Sequence, residues 1–74
     1  MLKVVIQKNM LKKIRTEKGY TQSEVAKKAK ISERAYQNYE LGERIPNVQI
    51  AQQIANVLHT TVEELFPLSS KKVN

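Results

Sequence analysis

The chain has 74 residues, 13 of them Lys or Arg and 7 of them Glu, with no cysteine and a formal net charge of +6. That length predicts one domain, near the lower limit at which a single hydrophobic core is stable. Because aspartate is also absent and His59 is the only histidine, the chain is short of ligands for a zinc or calcium site and of groups for acid–base catalysis. We therefore expect no enzymatic activity, no metal and no cofactor.

The distribution of charge indicates the class of partner. Residues 1–30 contain nine Lys or Arg against two Glu. A small basic chain favours a polyanionic partner, nucleic acid before an anionic membrane, although solvated lysines are the simpler alternative. No apolar stretch approaches the roughly 20 residues that span a bilayer, and MLKVVIQKN lacks a cleavage site for secretion. We expect a soluble cytoplasmic protein.

The first eight residues show the alternation that is typical of a strand, with Leu2, Val4 and Ile6 on one side. We expect no partner strand elsewhere in the chain. The segment is then disordered, extends the first helix or pairs with another copy. The predicted organisation is an extension at 1–8, a domain at 9–68 and a flexible basic tail at 69–74.

Two helices are predicted next. Leu11 and Ile14 recur at helical spacing, and Gly19 marks the end of the first helix. Thr21 and Glu24 have the spacing of a capping box, in which each side chain bonds the backbone amide of the other residue. The inner face of this second helix comprises Val25, Ala26 and Ala29.

A third helix is predicted from the N-cap Ser32 to Gly42, which favours the left-handed conformation that ends helices. Tyr36 and Tyr39 lie on one side with Ala35, at about 100° per residue. The opposite side carries Glu33, Arg34, Gln37, Asn38 and Leu41.

Two further helices complete an all-α domain. Pro46 and Asn47 precede the fourth, whose inner stripe is predicted to comprise Val48, Ala51, Ile54, Ala55 and Leu58. Thr61 and Glu64 predict a second capping box for the fifth helix, which Pro67 ends. Its inward residues are Val62, Leu65 and Phe66.

The second and third helices are separated by only three or four residues, which is the helix-turn-helix arrangement, with its helices at roughly 90–120°. Ala26 permits their close approach. Ile31, Tyr36 and Tyr39 fill the angle between them. Stacking of exposed tyrosines on unpaired bases is the alternative, but the spacing favours core packing.

The chain resembles the Cro/C1-type helix-turn-helix family of phage repressors and bacterial regulators. The similar segments are TQSEVAKKAKISERAYQNYELGERIP, followed by VQIAQQIANVL and VEELF. It runs from about Met10 to Leu68. Its motifs are the Gln after a capping threonine, Ala26, Ile31, the E-x-G that starts at Glu40 and the Pro before the fourth helix. The resemblance implies a five-helix bundle of the lambda-repressor-like type and a sequence-specific regulator of transcription, a repressor, that binds double-stranded DNA.

The chain departs from the family at two positions. Lys30 and His59 stand where the family usually has glycine. If the site of Lys30 requires a positive φ, a lysine costs on the order of 1 kcal/mol there. Histidine tolerates the left-handed region better than most residues.

The resemblance implies that the third helix enters the major groove of DNA. Its expected base contacts are Glu33, Arg34, Gln37 and Asn38. A solvated helix face is the alternative, and Glu33 also suits its own helix N-terminus. The expected contacts with the DNA backbone are Gln22, Ser32, Arg44, Lys27 and Lys30. Leu41 is expected beside that backbone.

Other residues are assigned structural roles. The resemblance implies an inward salt bridge between Arg15 and Glu40 that joins the first and third helices. Because specific repression ordinarily needs two half-sites, we expect a homodimer. Its predicted surface comprises Ile50, Val57, Phe66 and Leu68. A monomeric module, and an antitoxin or protein-interaction module with the same fold, are the alternatives; no small-molecule ligand is evident.

Overall fold

In the computed structural model, which describes residues 5–6 and 9–69, five short helices surround one core. The predicted all-α, lambda-repressor-like architecture is confirmed. The helices are α1 (Leu11–Glu17), α2 (Gln22–Ala29), α3 (Glu33–Leu41), α4 (Val48–Val57) and α5 (Val62–Leu65). Two strands of two residues each are β1 (Val5–Ile6) and β2 (Leu68–Ser69). Among the described residues, no helix has the length and apolar character needed to cross a membrane.

Side-chain caps determine where α2, α3 and α4 begin. Thr21 Oγ1 accepts from the amide of Glu24 at 3.0 Å, and the Glu24 carboxylate accepts from the amide of Thr21 at 2.8 Å, so the predicted capping box is present. Ser32 Oγ accepts from an amide of the first turn of α3 at 3.0 Å. Asn47 Oδ1 does the same for α4 at 2.8 Å. Each bond satisfies an amide that the helix itself leaves unpaired.

The capping box predicted for α5 is only half formed. Thr61 Oγ1 accepts from the amide of Glu64 at 3.1 Å. The Glu64 carboxylate, however, accepts from the hydroxyl of Thr60 at 2.5 Å instead of from the amide of Thr61. The prediction overlooked this hydroxyl because the box motif considers only the capping residue and the residue three positions later.

Left-handed residues follow four of the helices at the predicted positions, and the first is Gly19, after α1, with φ 81°. Gly42 ends α3 with φ 79°, and Lys30 ends α2 with φ 62°. His59, after α4, has φ 56°. Lys30 and His59, which replace the family's glycines, therefore both adopt a conformation that glycine reaches more easily than other residues do.

The core lies where the helices converge. Tyr36 is completely buried and Tyr39 is 9% exposed, so the prediction that these tyrosines pack inside is confirmed. Tyr20 and Ile31 are partly buried against the core. The other buried side chains are Leu11, Val25, Ala26, Ala29, Pro46, Ala51, Ile54, Ala55, Leu58 and Leu65.

Val48 was wrongly predicted to face the core. It is 83% exposed, although its spacing to Ala51 and Ala55 fits the buried stripe of α4. The buried residues of α4 begin only at Ala51. The first turn of α4 therefore extends past the elements that cover the rest of the helix, and periodicity alone does not reveal where that cover ends.

The expectation that β1 has no partner in this chain is also wrong. Val5 lies opposite Ser69 and Ile6 opposite Leu68 in an antiparallel pair. A two-residue strand at 68–69 is too short to show alternation, so the sequence gives no sign of it. The rest of the predicted extension, residues 1–4 and 7–8, and most of the predicted tail, residues 70–74, lie outside the described residues.

Candidate nucleic-acid interface

The turn between α2 and α3 is three residues long and is held by backbone and side-chain hydrogen bonds. The amide of Ile31 donates to the carbonyl oxygen of Ala26 at 3.0 Å. Gln53, on α4, donates from Nε2 to the carbonyl oxygen of Ala29 at 2.5 Å. Ala26 is 2% exposed, in keeping with its predicted role where the helices approach. The two helices thus form a braced helix-turn-helix unit.

The outward side of α3 carries the four side chains that were predicted to contact bases. Glu33 and Arg34 are exposed, and Gln37 and Asn38 are half-buried. Because Tyr36 anchors the opposite side in the core, the rotation of α3 about its axis is fixed. The helix therefore presents a polar face, and contact of that face with DNA stays a prediction.

The predicted contacts with the DNA backbone occupy different environments. Lys27, Lys30 and Arg44 are exposed. Ser32 Oγ accepts a hydrogen bond from its own helix, and its hydroxyl hydrogen is still available to donate to a phosphate. Gln22 is half-buried, and both ends of its amide have partners within the protein.

The carboxylate of Glu40 accepts hydrogen bonds from three helices. Arg15 Nε, on α1, lies 2.6 Å from Oε2 of Glu40, and the hydroxyl of Tyr36 donates to the same oxygen at 2.8 Å. Gln22 Nε2, at the start of α2, donates to Oε1 at 2.9 Å. The exposed fraction of the side chain is 5% for Glu40 and 11% for Arg15. The salt bridge that the resemblance implied is thus present and largely buried, and it joins α1 and α3, while the hydrogen bond from Gln22 adds α2.

These contacts determine the charge states of the cluster. Burial alone would raise the pKa of Glu40, but hydrogen bonds from Arg15, Gln22 and Tyr36 outweigh it, and the pKa lies below its usual value. The hydrogen bond to Glu40 raises the pKa of Arg15. Burial, followed by the hydrogen bond to Glu40, raises the pKa of Tyr36 far above its usual value. At neutral pH the cluster therefore contains one carboxylate, one guanidinium and a neutral phenol.

Sequence reasoning missed two members of this cluster. Tyr36 and Glu40 are four residues apart on one helix, a spacing that could have indicated their contact. Gln22 was predicted only to contact the DNA backbone. It also donates a hydrogen bond to Glu40 and accepts one from Nε2 of Gln37 at 3.4 Å. No local pattern reveals contacts between residues 15 or 18 positions apart on different helices.

Two apolar surfaces lie outside the polar face of α3. The first, the Leu41–Ile45–Val48 patch, consists of side chains that are 70%, 68% and 83% exposed. The second is the predicted dimer surface, whose described side chains are half-buried and pack partly against the core: Ile50, Val57 and Phe66. The side chain of Leu68 lies outside the description. The sequence did not indicate that the patch would be the more exposed of the two.

Comparison with known proteins agrees with this geometry. Residues 11–65 match the family described as Helix-turn-helix. The chain is 48% identical over 48 residues to YqaF, an uncharacterised HTH-type transcriptional regulator of Bacillus subtilis strain 168; the match covers 65% of this chain and 63% of YqaF. The fold also resembles the N-terminal DNA-binding domain of SinR from Bacillus subtilis, with a TM-score of 0.67 and 31% identity over 72% of this chain and 78% of that domain. From its family match and its fold, the chain belongs to the helix-turn-helix family of the Cro/C1 type.

Proposed function

We propose that this protein is a cytoplasmic, sequence-specific DNA-binding regulator of transcription that acts as a repressor. One observation carries the proposal: a braced helix-turn-helix unit presents the polar side of α3, with its opposite side locked in the core by Tyr36. The family assignment supports the same function. Repression follows when such a domain occupies a site that the transcription machinery also needs.

The polar face has the chemistry to distinguish base pairs in the major groove. Arg34 is able to donate two hydrogen bonds to guanine, and Asn38 to exchange two with adenine. Glu33 is able to accept from the amino group of cytosine. Each good bidentate pair contributes about 1–3 kcal/mol of discrimination against the wrong base. We assign Arg34 the leading role because it is exposed and always charged.

Sequence-independent attraction comes from the basic surface. The formal net charge of +6 favours approach to a polyanion. We assign phosphate contacts to Lys27, Lys30 and Arg44, which are exposed, and to Gln22, which retains a second amide hydrogen for this purpose. Since phosphate contacts release counterions, binding should weaken steeply as salt is added.

A single recognition helix contacts only a few base pairs, so we propose that the protein binds as a two-fold homodimer. Two half-sites would then lie about one helical turn apart. We assign the dimer contact to the surface of Ile50, Val57, Phe66 and Leu68.

Selection of bound sites from a random duplex library tests the function. We expect the wild type to select a palindromic site, and Arg34→Ala to relax the preference at one base pair per half-site without loss of fold or of non-specific binding. Lys12→Ala, which removes an exposed lysine of α1, is the matched control and should select the wild-type site. An Arg34→Ala protein with unchanged affinity and unchanged preference would show that α3 does not read the bases as assigned.

The Leu41–Ile45–Val48 patch favours a second candidate, a module that binds another protein, as an antitoxin does. Its three large apolar side chains are exposed and lie close together in sequence, and contiguous exposed apolar surface is typical of interaction sites. A protein of this kind would not need to protect one defined DNA site. Footprinting on genomic fragments separates the two functions, since only the regulator is expected to protect a single palindrome.

A further inference from the structure

A chain of side-chain hydrogen bonds runs from the buried carboxylate of Glu40 to the outward face of α3. Gln22 Nε2 donates to Oε1 of Glu40 at 2.9 Å. Gln37 Nε2 donates in turn to Oε1 of Gln22 at 3.4 Å. One end of this amide relay is charged and buried, and the other end is a residue that we expect to contact a base.

The chemistry of Glu40 determines the direction of both amides. An ionised carboxylate carries no hydrogen, so it accepts hydrogen bonds and never donates them. Gln22 must therefore turn its NH₂ group towards Glu40, which leaves its oxygen facing Gln37. Gln37 must then turn its own NH₂ group towards that oxygen. The direction follows from the carboxylate and does not depend on distinguishing nitrogen from oxygen in an amide.

Glu40 is well suited to impose this direction. Its side chain is only 5% exposed, and Arg15 at 2.6 Å and the Tyr36 hydroxyl at 2.8 Å hold the other oxygen. Both of those groups donate hydrogen bonds to Glu40. The carboxylate therefore has a fixed position as well as a fixed charge.

We propose that Glu40, acting through Gln22, holds Gln37 with its Oε1 directed away from Gln22 and towards the DNA. Gln37 then accepts a hydrogen bond from a base that carries an exocyclic amino group in the major groove, adenine or cytosine. Because one N–H of Gln37 is bound to Gln22, the amide does not flip, and its oxygen is not exchanged for NH₂ at the point that faces the base. Gln37 becomes a specificity-determining residue and Gln22 its positioning residue. This inference rests on the proposed function.

Base analogues provide the test. Comparison of the sites selected by the wild type and by Gln37→Met identifies the base pair that Gln37 contacts. In that pair, 2-aminopurine replaces adenine, or pyrimidin-2-one replaces cytosine, so that the amino group is missing from the major groove. We expect this change to weaken wild-type binding by about tenfold. Gln22→Met releases Gln37 and also removes a proposed phosphate contact, so it should weaken binding to every duplex to a similar extent. The additional loss caused by the missing amino group should fall to about threefold or less, and the base preference at the other positions of the site should be unchanged.

The matched control is Gln52→Met. Gln52 is an exposed glutamine on α4 that donates a hydrogen bond to Asn56 and has no part in the relay. This variant should keep the tenfold dependence on the amino group. If Gln22→Met weakens every duplex but retains the tenfold dependence, the relay is wrong while the proposed function stands. The same conclusion follows if wild-type binding is insensitive to the amino group.

A measurement without DNA separates the relay from the proposed function. In the free protein, NMR spectra of the side-chain amides should show the Gln37 NH₂ protons shifted away from those of the exposed Gln49. In Gln22→Met they should move to the Gln49 values. Identical Gln37 signals in both proteins would overturn the relay. A wild type that shows the expected signals but selects no duplex would instead overturn the proposed function.

Discussion

Arg15 and Glu40 form a buried ion pair whose members come from α1 and α3. Removal of one member leaves the other charge buried without its partner. Arg15→Ala should therefore lower the free energy of unfolding by roughly 3–5 kcal/mol. Denaturant unfolding followed by circular dichroism measures the loss. Arg34→Ala removes an exposed arginine and should change stability by no more than about 0.5 kcal/mol. Equal, small effects of the two substitutions would mean that the pair does not stabilise the fold.

The lowered pKa of Glu40 predicts sensitivity to acid. Hydrogen bonds from Arg15, Gln22 and Tyr36 hold this pKa below the unfolded value of about 4.3. The unfolded chain therefore binds the proton more tightly than the folded chain does. The contribution of Glu40 is complete above about pH 4.3 and is lost as the pH falls through the lower folded value. Melting temperatures from pH 7 to pH 3 should fall more steeply for the wild type than for Glu40→Gln, whereas parallel curves would contradict the assignment.

Some of these residue-scale contacts were predictable and others were not. The resemblance implied the pair of Arg15 and Glu40, and helix periodicity placed Tyr36 in the core. The bonds from Gln22 to Glu40 and Gln37 depend on how α2 crosses α3. A spacing within one helix carries no information about that crossing, so the relay is visible only in three dimensions.

At the scale of elements, the left-handed Lys30 that ends α2 predicts a stabilising substitution. A side chain with φ 62° is strained by on the order of 1 kcal/mol, and glycine is not. Lys30→Gly should therefore raise the free energy of unfolding by about 0.5–1 kcal/mol, measured by denaturant titration in the absence of DNA. Lys28→Gly, inside α2, should instead lower it by about 1 kcal/mol. Destabilisation by both substitutions would argue against strain at Lys30.

The residues at which helices begin were easier to predict than the elements that pack against those helices. Thr21 and Ser32 cap their helices as expected because a cap is a local hydrogen bond between neighbours in sequence. Asn47, which was predicted only to precede α4, caps that helix in the same way. Val48 was misplaced because its burial depends on a neighbouring element. The pairing of β1 with β2 was missed for a similar reason, since it joins segments from opposite ends of the described chain.

At the scale of the whole molecule, the polar face of α3 and the two apolar surfaces serve different purposes. The polar face requires α3 to stay in one orientation, which the core and the Glu40 cluster provide. An apolar surface is needed only where another chain binds. The Leu41–Ile45–Val48 patch continues from the end of α3, whereas Ile50, Val57 and Phe66 lie along α4 and after α5.

Oligomeric state distinguishes the two apolar surfaces. We expect light scattering of the wild type to give twice the 8.5 kDa mass of one chain. Val57→Asp should reduce it to the monomer, because a carboxylate would be buried without a partner at the dimer contact. Val48→Glu places a charge on the Leu41–Ile45–Val48 patch instead and should leave the dimer intact, while circular dichroism checks that both variants fold. Dissociation by Val48→Glu alone would move the dimer contact to the patch, and a monomeric wild type would remove the basis for a palindromic site.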